Sequence, residues 1–274
     1  MKTDDARPSN KEARSEFLDA LKKGVLLGVA ILAVAIPVMR FHRGPALDAP
    51  PRAPVAQQPT VSVPPAPAGA AARRLADFGA ETPSPEALHV ANWAVFTGDN
   101  GKKAIVMLDK KAARAHVFEP NGKLKASTPV LLGASMRDEN PPGVGDKPLA
   151  EVKPDEKVTA AGRYIAEPGI NASGEDVIWI DYKAALSMHR VRALVKEERR
   201  LERLASPTID DNRISFGCVN FPVAFYEGIL SPTVKRQGAV IYVLPETRTP
   251  QQVFGSYDVT RASATVAQAA GQQR

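Results

Sequence analysis

Residues 24–39 form an apolar run without a single charge, and the stretch behind it, 44–69, is crowded with proline and alanine. Together these two segments limit how much of the chain can enter a folded core. A helix that is apolar on every side needs an apolar environment, and nothing nearby could cover one in water. At about 1.5 Å per residue the run spans somewhat less than a ~30 Å hydrocarbon layer. Lys23 and Arg40 at its ends can snorkel to make up the shortfall. Lys22 and Lys23, with Lys2, Arg7, Lys11 and Arg14 further back, argue that the N-terminus stays inside and the rest lies outside; Arg40 and Arg43 reduce the asymmetry. The alternative is a cleaved signal peptide, with Ala33-Val34-Ala35 as its processing site. The long polar segment ahead of the run favours an uncleaved anchor.

The expected organisation follows. Residues 1–23 are a cytoplasmic N-terminal segment, 24–39 the anchor or signal segment, and 40–85 a Pro/Ala-rich linker. Residues 86–258 are the folded domain, and 259–274 a loose tail poor in apolar residues. A Pro-rich linker is extended and semi-rigid at about 3.1 Å per residue, so it would hold the domain away from the membrane.

The folded region is expected to be mainly β. Apolar, strand-forming runs occur at 104–108, 115–118, 123–132, 163–166, 177–182 and 239–244. Turn signals separate the early ones: Asp99-Asn100-Gly101 and Glu119-Pro120-Asn121-Gly122. A Pro/Gly-rich loop follows at 141–145. One stretch breaks the pattern. Over 191–205, Val191, Leu194, Val195, Leu201 and Leu204 fall near helical spacing among many charges, and Pro207 ends the run. It reads as an inserted amphipathic helix, either a solvated cap on the sheet or a basic wall or lid facing a substrate.

The net charge of +6 and a pI near 9.4 fit an acidic surface such as a membrane or an anionic wall polymer. No motif of basic and interleaved aromatic residues points to nucleic acid. Cys218 is the only cysteine, so an intrachain disulfide is excluded. An intermolecular bridge, an inert thiol or a nucleophile remain. Small Ser215 and Gly217 beside it permit tight turning and close backbone approach, which favours the nucleophile. Of four histidines, His42, His89 and His116 sit in unpromising contexts; His189 follows a strong strand directly. A cysteine and a histidine are the minimal unit of thiol catalysis: the imidazole takes the proton and the thiolate attacks a carbonyl. One cysteine and scattered histidines do not supply a zinc site, and no metal or other cofactor is called for.

The residues around the pair carry a resemblance. His189, then Ser215-Phe216-Gly217-Cys218-Val219-Asn220, with Thr159-Ala160-Ala161-Gly162-Arg163-Tyr164 upstream, resembles the L,D-transpeptidase (YkuD-like) catalytic domain. The resemblance spans roughly 92–244 and implies an L,D-transpeptidase-like β-sandwich. It makes Cys218 the nucleophile and His189 the general base. A backbone carbonyl near Ser215 or Phe216 would orient the imidazole, and backbone N–H groups near Gly217 and Cys218 would form an oxyanion hole. Asn220 would brace the cysteine loop. Arg213 would support that loop or bind a substrate carboxylate, the alternative being a salt bridge to Asp210 or Asp211. Two residues depart from the pattern: Phe216 replaces a histidine, and Arg190 stands where glycine usually follows the base. The implied substrate is the peptidoglycan stem peptide, which suits a periplasmic domain on an inner-membrane anchor. A carboxypeptidase or other hydrolase on the same scaffold, and a non-catalytic wall-binding protein, are the alternatives.

Overall fold

The computed structural model describes residues 74–260. The expected membrane segment, most of the linker and the tail beyond residue 260 lie outside the described residues.

Two β-sheets face each other across one core. The first has the order β3-β2-β1-β11-β5, built from Leu124–Pro129, Arg114–Phe118, Ala104–Asp109, Ala239–Val243 and Gly162–Ile165. β1 runs parallel to β11, and the other neighbours are antiparallel. The second sheet has the order β10-β8-β7-β6, built from Val219–Phe221, Leu186–Arg190, Asp176–Asp181 and Glu167–Ile170. A small parallel pair, β4 (Leu132–Gly133) with β9 (Arg213–Ser215), leads into the cysteine segment. Val106, Leu108, Val117 and Ile241 from the first sheet meet Ile178, Met188, Val219 and Phe221 from the second. Fully burying a side chain of this size contributes about 1.5–3 kcal/mol. The expectation of a mainly β fold therefore holds.

The central strands of the first sheet, β1 and β11, are buried on both faces, which is why β1 reads as a continuous apolar run instead of alternating. Its outer face is covered by α1 (Pro85–Thr97), whose Val90, Trp93, Ala94 and Phe96 pack on Ile105, Met107, Val240 and Tyr242. Ser84 caps that helix by accepting from the Ala87 N–H at 3.1 Å, and Pro85 occupies its first turn, where a missing N–H costs nothing. Packing begins before α1: Phe78 is buried against Phe118, and Asp77 pairs with Lys123. The packed body therefore reaches back into the stretch expected as linker.

The inserted segment differs from expectation. In place of one amphipathic helix over 191–205 there is an extended stretch, a single 3-10 turn (Lys196–Glu198) and a short helix, α2 (Arg200–Ala205). Arg199 takes a left-handed conformation (φ 49°) and separates the two. Helical spacing across it therefore does not mark one face: Leu194 and Leu201 are exposed, while Val191 and Leu204 are buried with Leu131. A longer helix, α3, covers 223–237 and widens into a π-turn at Tyr226–Leu230 just ahead of Pro232, whose ring cannot supply an N–H to a regular ladder.

Candidate active site

The second sheet builds the site. β10 pairs in parallel with β8, with Val219 opposite Met188 and Asn220 opposite His189. Met188 and Val219 point into the core and are fully buried. Alternation then sends Ser187 and His189 of β8, and Cys218 and Asn220 at β10, to the opposite face. His189 therefore sits on a strand, β8, itself.

Cys218 is partly exposed, with three polar groups around its sulfur. The imidazole of His189, on the neighbouring strand, favours its thiolate. Ser187 Oγ donates toward Sγ at 3.6 Å. The Sγ–H faces the carbonyl of Ala185 at 3.4 Å. Burial pushes the thiol up, but the His189 imidazole and the Ser187 hydroxyl and N–H outweigh it, so the group is held below its ordinary value. Ala185 closes the β7–β8 turn with φ 51°, a conformation costly for a residue with a Cβ. Asp181 braces the same turn by accepting from the N–H groups of Lys183 and Ala184.

His189 Nδ1 lies 2.7 Å from the carbonyl oxygen of Arg190. A carbonyl can only accept, so Nδ1 carries the proton and Nε2 is the basic nitrogen. The orienting carbonyl is thus that of the next residue, not one near Ser215 or Phe216. Arg190 stands where the resembling family has glycine. Its guanidinium is tied to Asp176 and Glu227 at 2.7 Å each and lies 4.6 Å from the Tyr226 ring. These ties fix the strand end that supplies the carbonyl.

The cysteine loop is held by its own polar groups. Ser215 Oγ donates to the Cys218 carbonyl at 2.7 Å and accepts from the Gly217 N–H at 3.0 Å. The Gly217 N–H is therefore engaged within the loop. Asn220 Nδ2 also donates to the Cys218 carbonyl, at 3.1 Å. Thr159 Oγ1 donates to the Gly217 carbonyl at 2.6 Å. Gly217 has φ 133°, and a Cβ there would lie 2.6 Å from the Val158 carbonyl oxygen. Phe216 is exposed, with Lys157 Nζ 4.0 Å from its ring centroid. Arg213 does not pair with Asp210 or Asp211. Its nearly buried side chain pairs with Glu246 and donates to the Lys110 carbonyl at 2.7 Å. It supports the base of the loop from below.

Cys218, Gly217 and Phe216 line a cleft of about 260 Å³. The opposite wall is the segment 140–158, including Asn140, Val144, Lys147, Leu149 and Val152. That wall seats against the β7–β8 turn at Gly145, where any Cβ would run into the Lys183 carbonyl oxygen. Lys147 and Glu156 pair within it at 2.5 Å. Of these contributors, Thr159 and Asn220 belong to motifs visible in the sequence. Ser187, Ala185 and the Arg190 carbonyl carried no signal there beyond proximity to His189.

No protein-family model matches the chain. No curated protein sequence matches it either. The solved structures it resembles include L,D-transpeptidase catalytic domains. One is the crystal structure of an Enterococcus faecium L,D-transpeptidase, at 13% identity, covering 52% of this chain and 50% of that one, TM-score 0.30. Another is the NMR structure of the catalytic domain from the E. faecium enzyme, at 14% identity, covering 52% of this chain and 98% of that one, TM-score 0.31. A third is the helical cell shape determining protein Pgp2 from Campylobacter jejuni, at 11% identity, covering 60% of this chain and 54% of that one, TM-score 0.34. The chain spans about half the length of the first and third of these.

Proposed function

We propose that this protein is a cysteine acyltransferase of the L,D-transpeptidase type, acting on peptidoglycan stem peptides. Residues 24–39 would anchor it in the inner membrane, with the domain in the periplasm. The observation that carries the reading is the Cys218–His189 pair: parallel pairing of β10 with β8 sets Asn220, two residues beyond the cysteine, opposite His189, whose Nδ1 is fixed by the Arg190 carbonyl. A cleft of about 260 Å³ at the sulfur approaches the lower end of typical ligand sites, about 300 Å³. The family motif around Cys218 supplies the substrate class.

In this reading His189 Nε2 takes the proton from Cys218 Sγ, and the thiolate attacks the substrate's carbonyl carbon, by resemblance that of the L-centre of meso-diaminopimelate. The oxyanion that forms meets the backbone N–H of Cys218, since Gly217's is engaged by Ser215. The tetrahedral adduct collapses, the C–N bond breaks, and the leaving D-Ala amine takes the proton from His189. An acceptor amine then attacks the thioester, gives its proton to His189, and releases Sγ. Incubating the full chain with purified muropeptides and weighing both products and protein tests this. A thioester adduct on Cys218 and cross-linked product are expected; an unmodified protein with unchanged muropeptides would overturn it.

A further inference from the structure

The charged insertion between base and nucleophile has a second contact with the site. Arg200, in the first turn of α2, reaches back under the sheet. Its Nη1 donates to Asn220 Oδ1 at 2.7 Å, and its Nε pairs with Glu198 at 2.5 Å. The Arg200 side chain is only 12% exposed and Asn220 is fully buried. An amide side chain has one accepting and one donating end. With the guanidinium on Oδ1, the Nδ2 end must face the Cys218 carbonyl, and it does, at 3.1 Å. Turned the other way, the amide would set its oxygen against that carbonyl oxygen, two acceptors without a proton between them, and its NH2 against a cation.

We propose that Arg200 is a positioning residue for the nucleophile, acting through Asn220 on the Cys218 carbonyl. This rests on Cys218 being the activated thiol. The chain Arg200–Asn220–Cys218 fixes the backbone at the point where the loop enters β10. The sulfur's place against His189, on the neighbouring strand, depends on that backbone. The insertion is then neither a mere solvated cap nor only a wall: one of its charges orders the catalytic loop. Ser215 Oγ holds the same carbonyl from the other side at 2.7 Å, so the carbonyl is clamped between two donors.

The test is the pH profile of Cys218 alkylation by iodoacetamide, read by mass spectrometry on the full chain, with thermal unfolding in parallel. Arg200→Met should raise the inflection toward the ~8.5 of a free thiol and slow alkylation at pH 6 by roughly tenfold, the scale of a small misplacement of a reacting group. Arg200→Lys, which keeps a cationic donor, should recover part of the loss. Asn220→Ala should match Arg200→Met, and the double variant should add nothing further. Glu198→Gln, which removes the charge of the other partner of Arg200, should leave the inflection in place. An unchanged inflection in Arg200→Met, with or without lower thermal stability, overturns the proposal, as does additivity in the double variant. The underlying reading fails separately: a wild-type Cys218 that titrates like a free thiol, insensitive to His189→Ala, removes both.

Discussion

Thr159 Oγ1 donates a 2.6 Å hydrogen bond to the carbonyl of Gly217 and accepts one of 2.9 Å from the N–H of Gly133. One buried hydroxyl thereby joins the segment that leads into β5, the β4 strand and the cysteine loop, which are distant in sequence. Thr159→Val keeps the shape and leaves two buried backbone groups without this partner. An unpaired buried polar group costs roughly 1–3 kcal/mol, so urea unfolding should place the variant about 2 kcal/mol below wild type. Alkylation of Cys218 should slow as well, because the loop loses its tie. Wild-type stability in the variant would show that water or a shift replaces the hydroxyl without loss.

Gly217 leaves no room for a side chain beside the nucleophile. Its φ of 133° disfavours any L side chain, and a Cβ would sit 2.6 Å from the Val158 carbonyl oxygen, which is backbone and cannot swing away. Gly217→Ala must move either the loop or the cleft wall. We expect loss of wall-substrate turnover by tenfold or more, with a folded domain by circular dichroism. Full turnover would mean that the loop has room the structure does not give it.

How much of this was legible in the sequence depends on how far apart the interacting residues lie. The strands at 104–109 and 239–243 were readable because they are apolar runs between turn or glycine signals, and burial on both faces keeps them apolar. α1 was missed because Pro83, Ser84 and Pro85 look like the end of a linker, whereas Ser84 and Pro85 act as cap and first turn. The 191–205 helix was over-read: apolar spacing was counted across Arg199, whose left-handed backbone breaks the period, and Leu194 is 80% exposed. Cys218 and His189 could be found because their chemistry is written in their residue types. Ser187 and Arg200 could not, since a serine or arginine becomes part of a site only through a partner brought close by the β8–β10 pairing and the insertion.

A buried ionic cluster under the site makes an acid-stability prediction. Lys110 Nζ lies 2.9 Å from Asp138, which also accepts from the N–H groups of Glu246, Thr247 and Arg248. Burial pushes the Asp138 carboxyl up, but these donors and the ammonium outweigh it and hold it well below the usual carboxylate range. A carboxyl depressed in the folded state stabilises above its unfolded pKa of ~3.9, and that stability is lost as pH falls below it. Wild-type stability should therefore drop steeply below about pH 4. Asp138→Asn should be about 3 kcal/mol less stable at pH 7, because Lys110 is left buried without its ion-pair partner, and its acid limb should be flatter. Parallel curves for the two proteins would mean that Asp138 does not carry the acid sensitivity.

The last prediction separates the two groups that act on the thiol. The His189 imidazole opposes burial most strongly at Cys218, and the Ser187 hydroxyl and N–H follow. A lowered thiol pKa means more thiolate at a given pH below the ordinary value, so alkylation should be fast in mildly acidic buffer. Removing a group that favours the thiolate must move the inflection upward. His189→Ala should move it furthest, since the imidazole is the group that most favours the thiolate. Ser187→Ala should move it in the same direction by less, because Ser187 Oγ approaches Sγ only to 3.6 Å and its N–H remains. Turnover should discriminate further. Ser187→Ala should keep measurable acyl transfer, as the proton still has a base to go to. His189→Ala should lose it even at high pH, where thiolate forms unaided, because no group then returns a proton to the leaving amine. Equal shifts in the two variants, or full turnover in His189→Ala at pH 9, would remove His189 from the proton path and leave it only a neighbour of the thiol.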